Sequence, residues 1–308
     1  MGLSEPGRCG STTPSVERAR RPGGHDRGLT HALGIAATGL TWHQPCVRDG
    51  HSPMGVDPKQ GRQDVRTASA PPSLERTEGE TFRPATVERD DAIEIVVVGL
   101  APEPAAVRAS ASLLSAAERE RARRFAFGRD ARRFIVGRAR LRQLLGARLG
   151  VRPESVQLVY GARGKPALAN SGKNSLRFNL SHCDDLAVYA LSSGREVGID
   201  VEAMRPLPDA DAIAARFFSR REHAAYRALD PCDQPRGFFQ CWTRKEAFIK
   251  ALGEGLSHPL DSFDVSLAPG APAELLRVEP VPRDDRGWRL ASFSPAPGFV
   301  AAVAAEER

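Results

Sequence analysis

Apolar and polar residues alternate from Val197 to Glu202, which is the period of a β-strand with one buried face. Val197, Ile199 and Val201 are expected to pack inward. Asp200 and Glu202 therefore project side by side from the opposite face. Two carboxylates held this close repel each other unless a cation lies between them. This pair is the first candidate for a functional site.

A helical period appears about forty residues later, where Trp242, Glu246 and Lys250 fall at i, i+4 and i+8 on one face. That face presents a third carboxylate and an ammonium group, whereas Lys245 is rotated about 100° away from Glu246. Carboxylate oxygens suit a hard divalent ion such as Mg²⁺, which usually keeps positions for water and phosphate. The two segments together predict a metal-phosphate site.

The other predicted elements follow from the same periodicities. Ser115 and Glu118 are spaced as a capping box. The helical stretch after it is broken near Gly128 and resumes from Asp130 to about Leu149. We expect Phe134, Leu141, Leu144 and Leu145 to face inward and Arg133, Arg138, Arg140 and Arg142 to lie elsewhere. Strands are predicted at 93–98, 156–159, 175–180, 186–191, 262–267, 275–279, 287–293 and 298–304, and further helices at 209–216, 220–229 and 236–252. Helices followed by strands in each half indicate an α+β fold with a duplicated unit.

Residues 1–90 differ from the rest of the chain because they are rich in Pro, Gly, Ser, Thr and Arg and lack a sustained period. Such a segment cannot bury enough apolar surface to offset the entropy of ordering it. We predict a disordered extension at 1–90, with a mis-assigned start as an alternative and Met54 as an internal candidate. The folded halves are then 91–195 and 196–308.

Charge and cysteine content narrow the function only slightly. The formal net charge of +6 allows a polyanionic partner, either nucleic acid or a phosphorylated or acidic substrate. Five cysteines without a CxxC pair argue against a disulfide framework or a zinc site and predict a reducing, cytoplasmic setting. The sequence contains no run of eighteen apolar residues, so it predicts no membrane span.

Lysine is rare in this chain, since only five of its 44 basic residues are lysine. A lysine retained in an arginine-biased folded region is a candidate for a specific chemical role, and its compact charge binds phosphate well. Lys165, in Gly164-Lys165-Pro166, and the helical Lys245 and Lys250 are the three candidates.

Five motifs occur in a characteristic order along the chain. They are Gly164-Lys165-Pro166, Phe178-Asn179-Leu180-Ser181-His182, Gly198-Ile199-Asp200-Val201-Glu202, Arg216-Phe217-Phe218-Ser219, and Trp242-Thr243-Arg244-Lys245-Glu246-Ala247 continuing to Lys250. In this order they resemble the motifs of the 4′-phosphopantetheinyl transferases of the surfactin-synthetase-activating (Sfp) type. The resemblance covers roughly residues 93–304. It implies a monomer of two similar α+β halves with pseudo-two-fold symmetry and coenzyme A in the cleft between them. It also implies Mg²⁺-dependent transfer of phosphopantetheine to a serine of an acyl or peptidyl carrier protein, with release of adenosine 3′,5′-bisphosphate.

The resemblance also implies roles for individual residues. Asp200, Glu202 and Glu246 would hold Mg²⁺, and Glu246 would also deprotonate the carrier serine. Lys250 would contact the phosphates. The coenzyme A contacts would be Arg133, Lys165, Pro166, Ser181, His182 and Lys250, with Lys165 at the adenosine end and His182 at the 3′-phosphate.

Structural readings compete with several of these roles. Asp200 and Glu202 could form a solvated strand face, and Glu246 and Lys250 an ordinary surface pair on a helix. His182 could be a core histidine, and Trp242 is expected to be core packing. Glu222 follows Ser219 as in a capping box, although the family often has an acidic residue near the metal at this position. The sequence favours the cap.

Two other functional classes remain open at this level. A basic nucleic-acid-binding module would use the arginine-rich segment to bind phosphate, but the chain lacks aromatic stacking residues and a nucleic-acid motif. A metal-dependent phosphohydrolase would share the carboxylates and release inorganic phosphate. Neither class explains the order of the five motifs. The sequence does not distinguish among fatty-acid, polyketide and nonribosomal-peptide carriers or the reductase of lysine synthesis.

Overall fold

The structure is a computed structural model that describes residues 93–161, 164–169, 172, 175–253, 258–278 and 287–307. The extension predicted at 1–90 lies outside the described residues, as does Met54. No helix in the described ranges is long and apolar enough to cross a membrane.

The first half contains one strand, three helices and four further strands. They are β1 (Glu94–Gly99), α1 (Pro104–Ser112), α2 (Ala116–Arg123), α3 (Gly128–Leu149), β2 (Leu158–Tyr160), β3 (Pro166–Leu168), β4 (Leu176–Cys183) and β5 (Leu186–Ser193), with a short 3₁₀ turn at Pro153–Ser155 before β2.

The second half repeats this order of elements. It contains β6 (Val197–Ala203), α4 (Ala210–Phe217), α5 (Arg220–Arg227), α6 (Gln234–Leu252), β7 (Phe263–Val265), β8 (Leu275–Val278), β9 (Trp288–Phe293) and β10 (Phe299–Glu306), with a 3₁₀ turn at Leu260–Ser262 before β7. The predicted strands and helices are confirmed. The short β3 was missed because three residues beginning with proline show no period. Helix α1 was also missed, since none of its residues is fully buried and it carries no apolar stripe.

The two main sheets also share one topology. In each sheet the last strand of the half lies in the centre. It pairs on one side with the first strand of the half and on the other side with the strand that precedes it, which gives the antiparallel orders β1–β5–β4 and β6–β10–β9. Each half also has a two-stranded hairpin, β2–β3 and β7–β8. The duplicated α+β unit predicted from the sequence is therefore present in the order and pairing of the elements.

Each half has its own core, and a third cluster joins them. Leu141, Leu145 and Phe178 are buried in the first half, and Phe238 and Phe248 in the second. The third cluster takes side chains from both main sheets. Its members include Ile95, Val188, Val197, Ile199, Val201 and Val303. The sheets thus pack against each other through the apolar face of β6.

The same capping arrangement fixes a short helix in each half. Ser115 and Glu118 cap α2, and Ser219 and Glu222 cap α5, each pair making both hydrogen bonds of a capping box. The buried glutamate also pairs with a basic residue of the following long helix: Glu118 Oε2 lies 2.7 Å from Arg142 Nε, and Glu222 Oε2 lies 2.8 Å from Lys245 Nζ.

The expected positions of two arginines were wrong. Arg138 and Arg142 are buried rather than on a solvated face. Glu118 contacts both guanidinium groups, with its Oε1 3.5 Å from Arg138 Nε, and Arg142 also donates to the carbonyl of Pro153 at 3.1 Å. A guanidinium group such as that of Arg142 is tolerated inside a protein when its donors are matched in this way. The inward positions of Phe134, Leu141 and Leu145 are confirmed, and Leu144 is half-buried.

Candidate active site

Side chains of β4 and β6 make the junction between the two halves. Asn179 Oδ1 accepts a hydrogen bond from the Ile199 N–H at 2.8 Å, and Ser181 Oγ donates to Asp200 Oδ1 at 2.9 Å. Cys183 Sγ donates to Glu202 Oε2 at 3.7 Å. Alternate residues of β4 therefore face β6 at Ile199, Asp200 and Glu202. The first half thereby fixes the orientation of both carboxylates.

Helix α6 lies directly against β6 at Gly198. A Cβ atom added to Gly198 would lie 2.1 Å from the carbonyl oxygen of Ala247 and 2.3 Å from the amide nitrogen of Ala251. No side chain fits there, so the glycine allows the backbones of strand and helix to touch. This contact brings the face of α6 that carries Glu246 and Lys250 next to the carboxylates of β6.

Lys250 makes the closest ionic contact in the site. Its Nζ lies 2.5 Å from Asp200 Oδ1, and it also donates to Ser181 Oγ at 3.2 Å and to the Ile199 carbonyl at 3.3 Å. The residue is only 1% exposed. The three donors of the ammonium group thus have three acceptors. The predicted helical face is confirmed for Lys250.

Lys245 and Trp242 lie outside this cluster, as predicted. Lys245 pairs with Glu222 on another face of α6 and donates to the carbonyl of Phe263 at 2.6 Å. Trp242 packs edge-to-face against Phe217 and stacks against Phe238, which makes it a core residue.

The three carboxylates are buried together. Asp200 and Glu202 are each 3% exposed and Glu246 is 4% exposed, so they do not form a solvated face. Burial, reinforced by the Asp200 carboxylate, raises the pKa of Glu202 to about 8. Burial also raises the pKa of Glu246 to about 7, against the attraction of the Lys250 ammonium. One lysine does not compensate the negative charge of this cluster.

The chemistry of the cluster fits a hard divalent cation. Asp200 Oδ2 and Glu246 Oε1 are buried and have no hydrogen-bond partner within the described part of the chain. Buried polar atoms are normally paired, so two carboxylate oxygens without a partner in the described chain, close to a third carboxylate, are suitable ligands for a cation. In the described ranges no three His, Cys, Asp or Glu side chains are already arranged to hold a metal ion, and Lys250 occupies the other oxygen of Asp200.

Two of the predicted phosphate contacts lie beside this cluster. Burial, followed by the charges of Lys250 and Arg133, lowers the pKa of His182 to about 4. His182 is therefore a neutral imidazole near pH 7. Arg133 reaches the same region from α3, and its Nε pairs with Asp185 Oδ1 at 2.8 Å. Two cationic side chains, Lys250 and Arg133, therefore act on His182, and an anionic group could bind near them.

Comparison with known proteins identifies the family. A sequence model of the 4′-phosphopantetheinyl transferase superfamily matches residues 196–304, and a model of the N-terminal part of 4′-phosphopantetheinyl transferases matches residues 100–194. The chain is 40% identical over 195 residues to the 4′-phosphopantetheinyl transferase HetI of Nostoc sp. strain PCC 7120, a match that covers 63% of this chain and 79% of that protein. The chain belongs to the 4′-phosphopantetheinyl transferase family.

Two further matches concern a curated relative and a solved structure. The transferase is 35% identical over 156 residues to the 4′-phosphopantetheinyl transferase Sfp of Bacillus subtilis strain 168, which covers 51% of this chain and 67% of that protein. The solved structure is the holo-[acyl-carrier-protein] synthase of Thermotoga maritima, which is 24% identical over 37% of this chain and 63% of that protein's chain. Its TM-score of 0.28 is too low to show a shared fold.

Lys165 of the transferase contacts the protein backbone rather than projecting into open space. Its Nζ donates to the carbonyls of Lys250 at 2.7 Å and Ala251 at 3.3 Å. Pro166 begins β3 and pairs with Tyr160 across the hairpin. The sequence indicated that Lys165 was important but gave no sign of this contact.

The structure also settles the environment of Glu222 and adds Cys183 and Asn179 to the junction. Glu222 caps α5, and its Oε1 accepts the N–H of Val265 at 2.7 Å, so both of its oxygens are engaged away from the carboxylate cluster. Cys183 directly follows the Phe178–His182 motif and Asn179 lies within it. Their alternation with Ser181 was the signal in the sequence that could have identified them.

Proposed function

We propose that this transferase moves the 4′-phosphopantetheine group of coenzyme A to a serine hydroxyl of an apo acyl or peptidyl carrier protein. The serine oxygen forms a bond to the phosphorus next to pantetheine, and the bond from that phosphorus to the bridging oxygen breaks. The serine proton passes to a base, and adenosine 3′,5′-bisphosphate leaves. Membership of the family supports the transfer, and the buried cluster of Asp200, Glu202, Glu246 and Lys250 is the observation that supports this site.

Asp200, Glu202 and Glu246 are the residues proposed to hold Mg²⁺. Bound there, the ion would supply positive charge to neutralise the leaving phosphate. The support for this assignment is the donor set of carboxylate oxygens and the two oxygens that lack partners in the described chain.

Glu246 and Lys250 are the proposed catalytic residues. Besides its role at the metal, Glu246 would accept the proton of the carrier serine through its carboxylate. Lys250 would exchange its contact with Asp200 for a phosphate oxygen and hold the reacting phosphoryl group in place. Both residues come from one rigid helix that is fixed against β6 at Gly198.

Coenzyme A is proposed to lie between the two halves, which we propose are related by a pseudo-two-fold axis. Arg133, Lys165, Pro166, Ser181 and His182 of the first half would contact it, along with Lys250. Ser181 already bonds to both Asp200 and Lys250, which supports a position of the Phe178–His182 motif near the reacting phosphates. The positive surroundings of His182 support a phosphate there.

We further propose a cytoplasmic monomer that has neither nucleic acid nor membrane as a partner. Cys183, Cys232 and Cys241, the cysteines among the described residues, are all free, which supports a reducing compartment.

The test is to incubate the protein with coenzyme A, Mg²⁺ and a panel of apo-carriers and to follow the intact mass of each carrier. We expect a mass gain equal to phosphopantetheine on at least one carrier. Asp200→Asn, Glu202→Gln and Glu246→Gln should each reduce the rate by roughly 100-fold or more.

Asp264→Asn is the matched control, because Asp264 is a buried carboxylate of the same half that pairs with Arg277 instead. It should lower stability without a comparable loss of transfer. Release of inorganic phosphate with no carrier modified would reject the proposal in favour of a phosphohydrolase.

A further inference from the structure

The C-terminal end of α6 has backbone carbonyls that the helix itself cannot satisfy. The helix ends at Leu252, and Gly253 follows in a left-handed conformation with φ of 75°. Its N–H bonds to the carbonyl of Ile249 at 3.1 Å. The carbonyls of Lys250 and Ala251 lie beyond the reach of any helical N–H, because the last turn of a helix has no donors after it.

Lys165 satisfies both of these carbonyls from the other half of the molecule. It donates to Lys250 O at 2.7 Å and Ala251 O at 3.3 Å, and also to Val197 O at the start of β6 at 3.5 Å. Three donors thus meet three acceptors of the second half. A positive charge at this position also interacts favourably with the negative end of the helix dipole.

The position of the Lys165 ammonium is well defined. The hairpin holds the residue through a bond from the Gly161 N–H to the Lys165 carbonyl at 3.0 Å. Glu196 Oε2 lies 3.5 Å from Nζ and provides a counter-charge, and the lysine side chain is only 19% exposed. Burial lowers its pKa below the usual lysine range. The group is therefore part of the packed structure rather than a mobile surface charge.

The two segments that Lys165 binds are the ones that carry the candidate site. The carbonyl it holds most closely belongs to Lys250, whose ammonium contacts Asp200. Its third acceptor, Val197, is next to Gly198, where α6 and β6 are in backbone contact. A shift of the helix end would therefore move Lys250 relative to the carboxylates.

We propose that Lys165 is a positioning residue. Its hydrogen bonds hold the end of α6 and the start of β6 against the first half and so set the separation of Lys250 from Asp200. The catalytic consequence rests on the function proposed above, whereas these hydrogen bonds are a property of the free protein. This is a second role for Lys165, beside the contact with coenzyme A proposed above, and kcat rather than KM reports it.

The experiment compares Lys165→Met with Lys165→Arg by amide hydrogen exchange of the full-length protein without substrates. In Lys165→Met, peptides covering 247–253 should exchange at least about tenfold faster, since their cap is lost, whereas peptides of β9 should be unchanged. Lys165→Arg should recover much of the protection because the guanidinium retains donors and charge. Glu196→Gln should have little effect, as it removes the counter-charge but leaves the three carbonyl bonds.

Lys245→Met is the matched control for loss of a buried lysine that binds carbonyls on the same helix. It should increase exchange around Leu260 and Phe263, whose carbonyls Lys245 holds, more than at the end of α6. An equal increase in exchange at residues 247–253 and around residues 260–263, in both Lys165→Met and Lys245→Met, would show general destabilisation and would overturn the positioning role.

Steady-state kinetics supply the second readout. We expect Lys165→Met to lower kcat by about tenfold or more and to change the KM for coenzyme A by less than about threefold, with partial recovery in Lys165→Arg. Unchanged exchange together with a raised KM and a normal kcat would mean that Lys165 is a nucleotide contact only. If Lys165→Met does not fold, the exchange of Lys165→Arg is the deciding measurement. Wild-type protection of residues 247–253 in that variant, together with a normal kcat, supports the proposal. If the wild type modifies no carrier, the proposed function fails, but the exchange data still test whether Lys165 holds the end of α6 in place.

Discussion

The carboxylate of Glu202 receives a hydrogen bond from the other half of the molecule, from Cys183 Sγ at 3.7 Å. Burial, reinforced by the Glu202 carboxylate, raises the pKa of this thiol to about 12, so the sulfur keeps its proton and can donate it. The N–H of Ala203 donates to the same sulfur at 3.3 Å and holds it in place. The thiol is thus a neutral support for a candidate metal ligand.

Replacing Cys183 by Ala should loosen Glu202 and raise the Mg²⁺ concentration needed for half-maximal activity by about tenfold, as expected when a partner of a metal ligand is lost. Cys183→Ser should restore much of this affinity because a hydroxyl also donates. Titration of activity with Mg²⁺, with thermal unfolding as a check on stability, measures the effect. Identical Mg²⁺ dependence in wild type and Cys183→Ala would exclude this support.

Lys250 and Lys245 should behave differently although both are buried on α6. Lys250→Ala should reduce turnover by roughly 100-fold, because its ammonium would hold the reacting phosphates in the proposed mechanism. Lys245→Ala should instead cost about 3–5 kcal/mol of unfolding free energy, since Glu222 would be left buried without its partner. Urea denaturation and kcat under folded conditions separate the two losses. The reverse pattern would show that the wrong lysine has been placed at the site.

At the scale of elements, the contact between β6 and α6 leaves no space for a side chain at Gly198. Gly198→Ala should destabilise the protein by about 1–3 kcal/mol or more and lower kcat, because the added methyl group must push the helix away from Asp200. Gly128→Ala is the control, since a Cβ there meets nothing within 4 Å. Chemical denaturation and kcat of both variants make the test, and a fully stable, active Gly198→Ala enzyme would contradict the described packing.

Most elements were predictable because their periods are local. The alternation in β6 and the face of α6 with Glu246 and Lys250 follow from neighbouring residues, and so do the capping boxes at Ser115 and Ser219. The burial of Arg138 and Arg142 was not predictable in this way. It depends on Glu118 reaching α3 from the preceding helix, a tertiary contact with no local signature.

For the whole molecule, the third core cluster predicts that the halves unfold together. Ile199 lies in this cluster with Val188 of the first half and is fully buried. Ile199→Ala should cost about 2–5 kcal/mol and should shift one cooperative transition rather than create two. Calorimetry, compared with far-ultraviolet circular dichroism, measures this. Two separate transitions in the wild type would show that the halves are independent units.

The candidate site could be predicted only in part at this scale. The pattern of β6 showed that Asp200 and Glu202 share a face, and the helical period placed Glu246 with Lys250. Nothing local indicated that β4 would run beside β6, because that contact depends on how two separate sheets pack. That Asn179, Cys183 and Lys165 contact the second half therefore emerged only from the structure, although the alternation of Asn179 and Cys183 with Ser181 is visible in the sequence.

The two long helices can be aligned on the basic residues that bind the capping glutamates, Arg142 in α3 and Lys245 in α6. The same alignment matches Gly150 with Gly253, the left-handed glycines that follow each helix. The correspondence therefore extends to the ends of both helices.

In this alignment Glu246 corresponds to Gln143 and Lys250 to Ala147, and both residues of the first half are exposed. The repeat has been preserved as architecture, but the reactive groups of α6 are present in one copy only. If Glu246 and Lys250 act as proposed, this repeated architecture has one catalytic centre, and calorimetric titration should saturate at one coenzyme A per chain.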